Sequence, residues 1–213
     1  MAPPRNTRRR RALADAVIEV LGTAGIHKLS HRAVDERAGL PAGTTANYFP
    51  RRDDLLAAAA KRVAELHVAE MTAADRAAAE RNAADGSTAG RPASVPAGAG
   101  LDVLAALIGA SLHDAATSNR TRYLAAYELA LESTRQPALA EAMSRLGAAA
   151  FGTTLAEHRS LGLPTTVEQV QALIALYNGT LLTLVVASPE TVTPEATLAL
   201  ARCLVTGVLT SRG

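Results

Sequence analysis

Tryptophan is missing from this 213-residue chain, and aromatic residues make up only 3% of it. Beside so much alanine, that shortage favours helices over β-strands. A single cysteine, Cys203, excludes an intramolecular disulfide and fits a reducing cytoplasm. Within "ALARCLVTGVL" it reads as a small buried apolar residue. Lysine is scarce as well, 2 against 20 arginines, a bias that GC-rich coding explains as well as selection does. The N-terminal arginines are followed by a charged amphipathic segment, so no signal peptide is read. The longest charge-free run, Gln169 to Pro189, is interrupted by Gln171, Asn178, Gly179 and Thr180. It reads as a buried helix, not a membrane span.

Chemical signatures are equally thin. Gly39 and Gly43 precede Thr44-Thr45 without the Gly-Lys-Ser/Thr of a phosphate loop. Histidines 27, 31, 67, 113 and 158 show no metal-ligand spacing with one another or with Cys203. No local pattern supports a catalytic triad, and no alternating strand pattern or internal repeat is found. An enzyme is therefore not expected, and neither a cofactor nor a metal is called for.

What the chain does have is apolar bulk and uneven charge. Hydrophobic residues are 48% of it, enough to build cores. Residues 1–62 hold 12 Lys/Arg against 6 Asp/Glu, a charge of +6; residues 63–213 hold 10 against 14, a charge of −4. A basic head on an acidic body points to a polyanion partner for the head alone.

The periodicity is helical throughout. Leu13, Ala16, Val17, Val20 and Leu21 form one stripe of a first helix, closed by Gly22 and Gly25. Ser30 is placed to cap a short second helix that Gly39 ends, and Pro41 is expected to start a third. A long helix is expected from Arg51 to about Ala84, with Asp53 and Asp54 at the positive end of its dipole. The Gly/Pro/Ser-rich stretch 85–100 reads as a flexible loop. Helices are then expected at 101–117, 119–134, 137–161, 165–187 and 194–211. The last two are apolar over more than one face, which asks for partners on more than one side, one of them a second copy of the chain.

Two short helices joined by a tight turn on a third describe a helix-turn-helix. In "AGLPAGTTANYFPRRDDLL", Thr44, Thr45 and Asn47 offer small polar groups to a DNA groove, while Leu40, Ala46 and Phe49 back them. Asparagine reads adenine edges, and a threonine methyl meets the thymine methyl. Ser30, His31 and Tyr48 suit phosphates, as do Arg51 and Arg52. The basic run "RNTRRRR", with Arg8 and Arg9, is expected to precede the first helix as an arm without fixed structure.

These residues also resemble a known family. "GIHKLSHRAVDERAGLPAGTTANYFPRRDDLL" is similar to the N-terminal domain of the tetracycline-repressor family of bacterial regulators, over roughly residues 8–62. Gly25, Ser30, Val34, Ala38-Gly39, Gly43, Tyr48-Phe49, Asp53 and Leu55 carry the likeness. Two positions depart from it: Ala46 stands where the family often has an aromatic, and Asp35 where it often has a small residue.

The resemblance implies an all-α protein: a three-helix DNA-binding head over residues 1–52, then a helical effector-binding and dimerisation domain over 53–213. It implies a ligand-responsive regulator that binds a near-palindromic operator as a homodimer and is released by a small molecule. The rival reading is a helical enzyme or carrier with a basic N-terminal bundle. Ranked by residue type, effector candidates are Tyr123, Tyr127, Met143, Phe151 and Tyr177, with His113, Glu128 and Asn178 as orienting polar groups. Plain core packing competes with that role at each. Ile174, Leu181, Leu204 and Val208 are the interface candidates.

Overall fold

The computed structural model describes residues 4–84 and 99–210. Among them every regular element is a helix, so the chain is all-α as expected. Residues 85–98 of the expected loop lie outside the described residues. The described chain divides into two compact units.

The first unit takes in the residues up to Ala74 together with Thr121–Gly147. Helix α1 spans Pro4–Ala24 and thus includes the arginines expected to precede it. Proline suits a first helical turn and arginine is a good helix former, so the basic run continues the helix. A 3-10 turn at Ile26–Lys28 leads to α2, His31–Ala38. Ser30 caps α2 by accepting the Ala33 N–H at 3.1 Å, and Gly39 ends it at a φ of 63°. Helix α3 is only Thr44–Tyr48, starting three residues later than Pro41 led us to expect. The delay is local: Gly43 sits at a φ of 87°, a left-handed conformation that a helix cannot pass through.

Helix α4 spans Arg52–Ala84, α6 Arg120–Ser133 and α7 Pro137–Ser160. Between α4 and α6 lies α5, Ala99–Ala116, which belongs to the second unit up to Arg120. The head core joins Leu13, Val17 and Leu21 of α1 to Val34 of α2, Phe49, and Leu55 and Leu56 of α4. Ala125 and Leu129 of α6 and Leu139 of α7 complete it. Full burial of each such leucine or valine contributes about 1.5–3 kcal/mol.

The second unit holds α5, the later part of α7, α8 (Val167–Val186) and α9 (Pro194–Leu209). Helix α8 opens with a capping box in which Thr166 and Gln169 satisfy each other's backbone. Helices α5 and α9 cross closely at Gly109, where an added Cβ would meet the Leu198 Cα at 2.9 Å. Leu104 and Ala105 of α5 pack with Leu163, Leu173 of α8 and Val205 of α9.

Helix α8 departs from the expectation of a buried helix. It is long and apolar enough to cross a membrane by length and composition, yet only 22% of its most apolar stretch is buried in this chain. Val170, Leu173, Leu181 and Val185 face the interior, while Leu176, Leu182 and Val186 are exposed. On α9, Leu200 is exposed. Cys203 is exposed as well, against the expectation of a buried cysteine, because it lies on the face of α9 turned away from Ala201 and Val205. Of the four expected interface residues, Leu181 is fully buried, and Leu204 and Val208 pack on the unit's own core. Ile174 is half-buried.

Candidate nucleic-acid interface

An isolated five-residue helix is far below the length at which helices persist in water, about 12 residues. Helix α3 is instead held by groups from its neighbours at both ends. At its start, Asp35 of α2 accepts the Gly43 N–H at 2.8 Å through Oδ2. Through Oδ1 it accepts the Thr45 N–H at 2.7 Å and the Thr45 hydroxyl at 2.5 Å. Asp35 and Thr45 are both buried. Burial opposes the charge on Asp35. The hydrogen bonds from Thr45 and Gly43, with His31 nearby, outweigh it and hold the carboxyl below its ordinary range.

At the other end, Arg10 of α1 donates to the Tyr48 carbonyl at 3.0 Å and stacks its guanidinium over the Phe49 ring, 4.5 Å from the centroid. His31 Nε2 donates to the Phe49 carbonyl at 2.7 Å. A carboxylate at the helix start and a guanidinium at its end both match the helix dipole.

This clamp decides which side chains face outward. Asn47 and Ala46 are exposed and Thr44 is half-buried. Thr45, expected on the reading face, is fully buried, and Ala46, expected behind it, faces solvent. A buried carboxylate that needs donors draws Thr45 inward, and methyl-sized Ala46 has nothing to lose by exposure. Thr44 donates its hydroxyl to the Pro41 carbonyl at 2.6 Å and leaves its methyl available. The Asn47 side-chain amide makes no hydrogen bond among the described residues.

The phosphate candidates divide. Arg8, Arg9 and Arg51 are exposed and form no ion pair among the described residues. Ser30 spends its oxygen on the α2 cap but keeps a hydroxyl proton to donate. His31 is committed at Nε2, and Tyr48 is half-buried against the head core. Arg52 donates to the carbonyls of Leu29 at 2.9 Å and Ile26 at 2.8 Å, so its guanidinium ties α4 to the turn before α2.

Sequence reasoning missed Asp35 and Arg10 as parts of this site. Both had a visible signal. Arg10 lies three residues before Leu13 and seven before Val17, on the buried stripe. Asp35 adjoins Val34 as a charge at a core position, ten residues before a threonine that can donate to it.

The effector candidates fall on both units. In the first, Tyr123, Tyr127 and Glu128 lie on α6, and Met143 packs against the head core. The Tyr123 hydroxyl is 3.4 Å from His67 Nδ1, and burial pushes the Tyr127 hydroxyl up to about 12. Burial also lowers the His67 imidazole from its ordinary value, and Glu70 opposes that. Arg122 pairs with Glu70 at 2.5 Å and lies over the Tyr123 ring. Glu128 accepts the Ile26 N–H at 3.3 Å, a structural bond to the head.

In the second unit, His113 and Phe151 are half-buried, and His113 Nδ1 is buried without a hydrogen-bond partner. The Tyr177 and Ser111 hydroxyls are 2.8 Å apart, and Asn178 donates back to the Ile174 carbonyl. An open hollow of about 520 Å³ on the head, lined by Val20, Ala24, Lys28, Ala33, Glu36 and Arg37, holds none of the eight. Among the described residues no group of three or more His, Cys, Asp or Glu is placed to hold a metal ion.

Solved structures share this arrangement of helices. A transcriptional regulator from Rhodococcus sp. Rha1 is 19% identical, with 94% of this chain and 96% of that one covered and a TM-score of 0.69. The multidrug binding protein EbrR, complexed with ethidium, is 27% identical over 92% of this chain and 98% of its own, with a TM-score of 0.61. A TetR-family member from Streptomyces coelicolor A3 is 28% identical over 95% and 98%, also with a TM-score of 0.61. No curated protein sequence matches the chain. The family model described as tetracyclin repressor-like, C-terminal domain, matches residues 99–211. With the helix-turn-helix at its head and that domain over more than half its length, the chain belongs to the TetR family of transcriptional regulators.

Proposed function

We propose that the chain is a repressor that binds a near-palindromic DNA operator as a homodimer and leaves it when a small molecule binds. One observation carries the DNA half: on a helix fixed at both ends, Asn47 presents an amide with no partner among the described residues, beside Thr44. Arg8, Arg9 and Arg51, exposed and without an ion pair among the described residues, supply positive charge for phosphates. Residues 1–52 act as the reading head and 53–213 as the effector-binding and dimerisation domain. The protein carries out no catalytic step in this role and works in the cytoplasm with its DNA.

The dimer supports near-palindromy, because a twofold presents two recognition helices about one DNA turn, or about 34–36 Å, apart. Its proposed surface is the exposed side of α8 and α9, with Leu176, Leu182, Val186 and Leu200. That side differs from the stripe through Leu181, which is already occupied within the chain. For the effector, the half-buried cluster of His67, Tyr123 and Tyr127 supports a site against α6, since aromatic faces carrying a few polar groups are what orients a small ligand. EbrR's ethidium complex favours a small organic effector of this kind.

Selection from a randomised duplex library, followed by gel-shift titration over a salt series, tests the reading. The expected result is one enriched near-palindrome and an affinity that falls steeply with salt. Replacing Arg8 and Arg9 by Ala should flatten the salt dependence and leave the enriched sequence unchanged. A chain that enriches no sequence is not an operator-binding protein.

A further inference from the structure

Helix α3 has no cap of its own. Its N-cap is Gly43, which has no side chain, so the donors at its start must be met from elsewhere. Asp35 meets them from α2, one oxygen on the Gly43 N–H and the other on the Thr45 N–H and hydroxyl. Three donors converge on one buried acceptor-only group, which fixes both the rise and the rotation of the helix. A rotation of α3 about its axis, or a slide along it, breaks at least one of the three bonds.

Packing alone cannot supply that constraint. Ala46 is exposed and contributes no anchor, which leaves Thr45 as the one fully buried residue of α3, with half-buried Tyr48 and the buried C-cap Phe49 at its far end. The two outward residues ride on the clamped atoms: Thr44 lies between Gly43 and Thr45, and the Asn47 N–H bonds the Gly43 carbonyl at 3.3 Å. A small tilt at Gly43 therefore moves both outward side chains together.

We infer that Asp35 is a positioning residue for DNA recognition, a carboxylate on α2 that orients α3 and thereby sets which bases Thr44 and Asn47 discriminate. The inference rests on the DNA-reading proposal above. Asp35 itself touches no DNA, since it is buried beneath the helix it holds. An asparagine there keeps the shape but turns an NH2 toward one of the N–H donors, so one bond is lost and the helix start shifts. A valine at position 45 removes the hydroxyl donor alone, and a serine retains it.

The experiment uses the full chain and two probes: the duplex enriched by the wild type from a random library, and a scrambled duplex of equal length and composition. The ratio of the two affinities is measured at a temperature where circular dichroism shows each variant folded. Asp35→Asn should lower the ratio by about tenfold or more, the size of one lost base contact, while scrambled-duplex affinity changes little. Thr45→Val should lower it less, and Thr45→Ser should restore it. A purely structural Asp35 would leave the ratio of the folded variants at the wild-type value, which overturns the inference. If Asp35→Asn does not fold, the Val and Ser variants at position 45 decide: equal, wild-type ratios overturn it. Failure of the wild type to enrich any duplex instead overturns the DNA-reading proposal on which it stands.

Discussion

Gly22 of α1 approaches Thr121 of α6 so closely that a Cβ on the glycine would sit 2.0 Å from the Thr121 carbonyl oxygen. No side chain fits there, and the contact is with backbone, which cannot swing aside. The glycine is thus where α1 and α6 touch, and the Glu128 bond to the Ile26 N–H lies two turns along α6 from it. Gly22→Ala should force the two helices apart at the cost of overpacking, about 1–3 kcal/mol of stability. Thermal unfolding of the variant should show a clearly lowered midpoint; an unchanged one would mean that the helices yield freely.

Asn47 is expected to read a base. Asn47→Ala should cost about 1–3 kcal/mol at one position of each half-site and relax the preference there. Arg52→Ala should act differently, by lowering head stability, because its guanidinium holds the carbonyls of Ile26 and Leu29. Repeated duplex selection with Asn47→Ala checks the first; an unchanged consensus would place the reading residue elsewhere.

Adjacent residues on α8 should give opposite outcomes. Leu181 is 1% exposed and Leu182 43%. Leu181→Glu buries a charge without a partner and should unfold the second unit. Leu182→Glu should leave the subunit folded but monomeric, with half-site affinity only. Light scattering and circular dichroism separate the two; a stable Leu182→Glu dimer would remove this face from the interface.

His158 should make stability depend on pH. Its ring is buried at the end of α7, within 3.3 Å of the Thr165 hydroxyl, and burial lowers its pKa from the ordinary value. The folded state therefore favours neutral imidazole more than the unfolded chain does. That contribution is fully present above the unfolded pKa of about 6.5 and is lost as pH falls through the lower folded value. Unfolding midpoints measured from pH 7.5 downward should fall more steeply for the wild type than for His158→Gln, about pH 6.5 and below. Parallel curves would show that other groups set the acid limit.

The helices themselves were legible in the sequence because their signals are local. The stripe from Leu13 to Leu21 repeats over more than two turns, Ser30 caps its own helix, and breakers at Gln136-Pro137 and Ser188-Pro189 fall where α7 and the turn after α8 begin. The family pattern in residues 25–55 is equally local, so the helix-turn-helix and the all-α class followed from the chain alone. Tertiary structure decided what short or uniform segments leave open. Five residues of α3 span little more than one helical turn, so no apolar repeat ranks Thr45 against Ala46, and a carboxylate on another helix chose between them. Helix α8 is apolar over more than one face, so periodicity could set Leu181 on the main stripe and Leu182 beside it but not say which of them meets the subunit's own core; the placement of α5 and α9 did. Burial of Asp35 and exposure of Cys203 have the same origin, since each depends on which neighbour a face meets and not on the residues beside it in sequence.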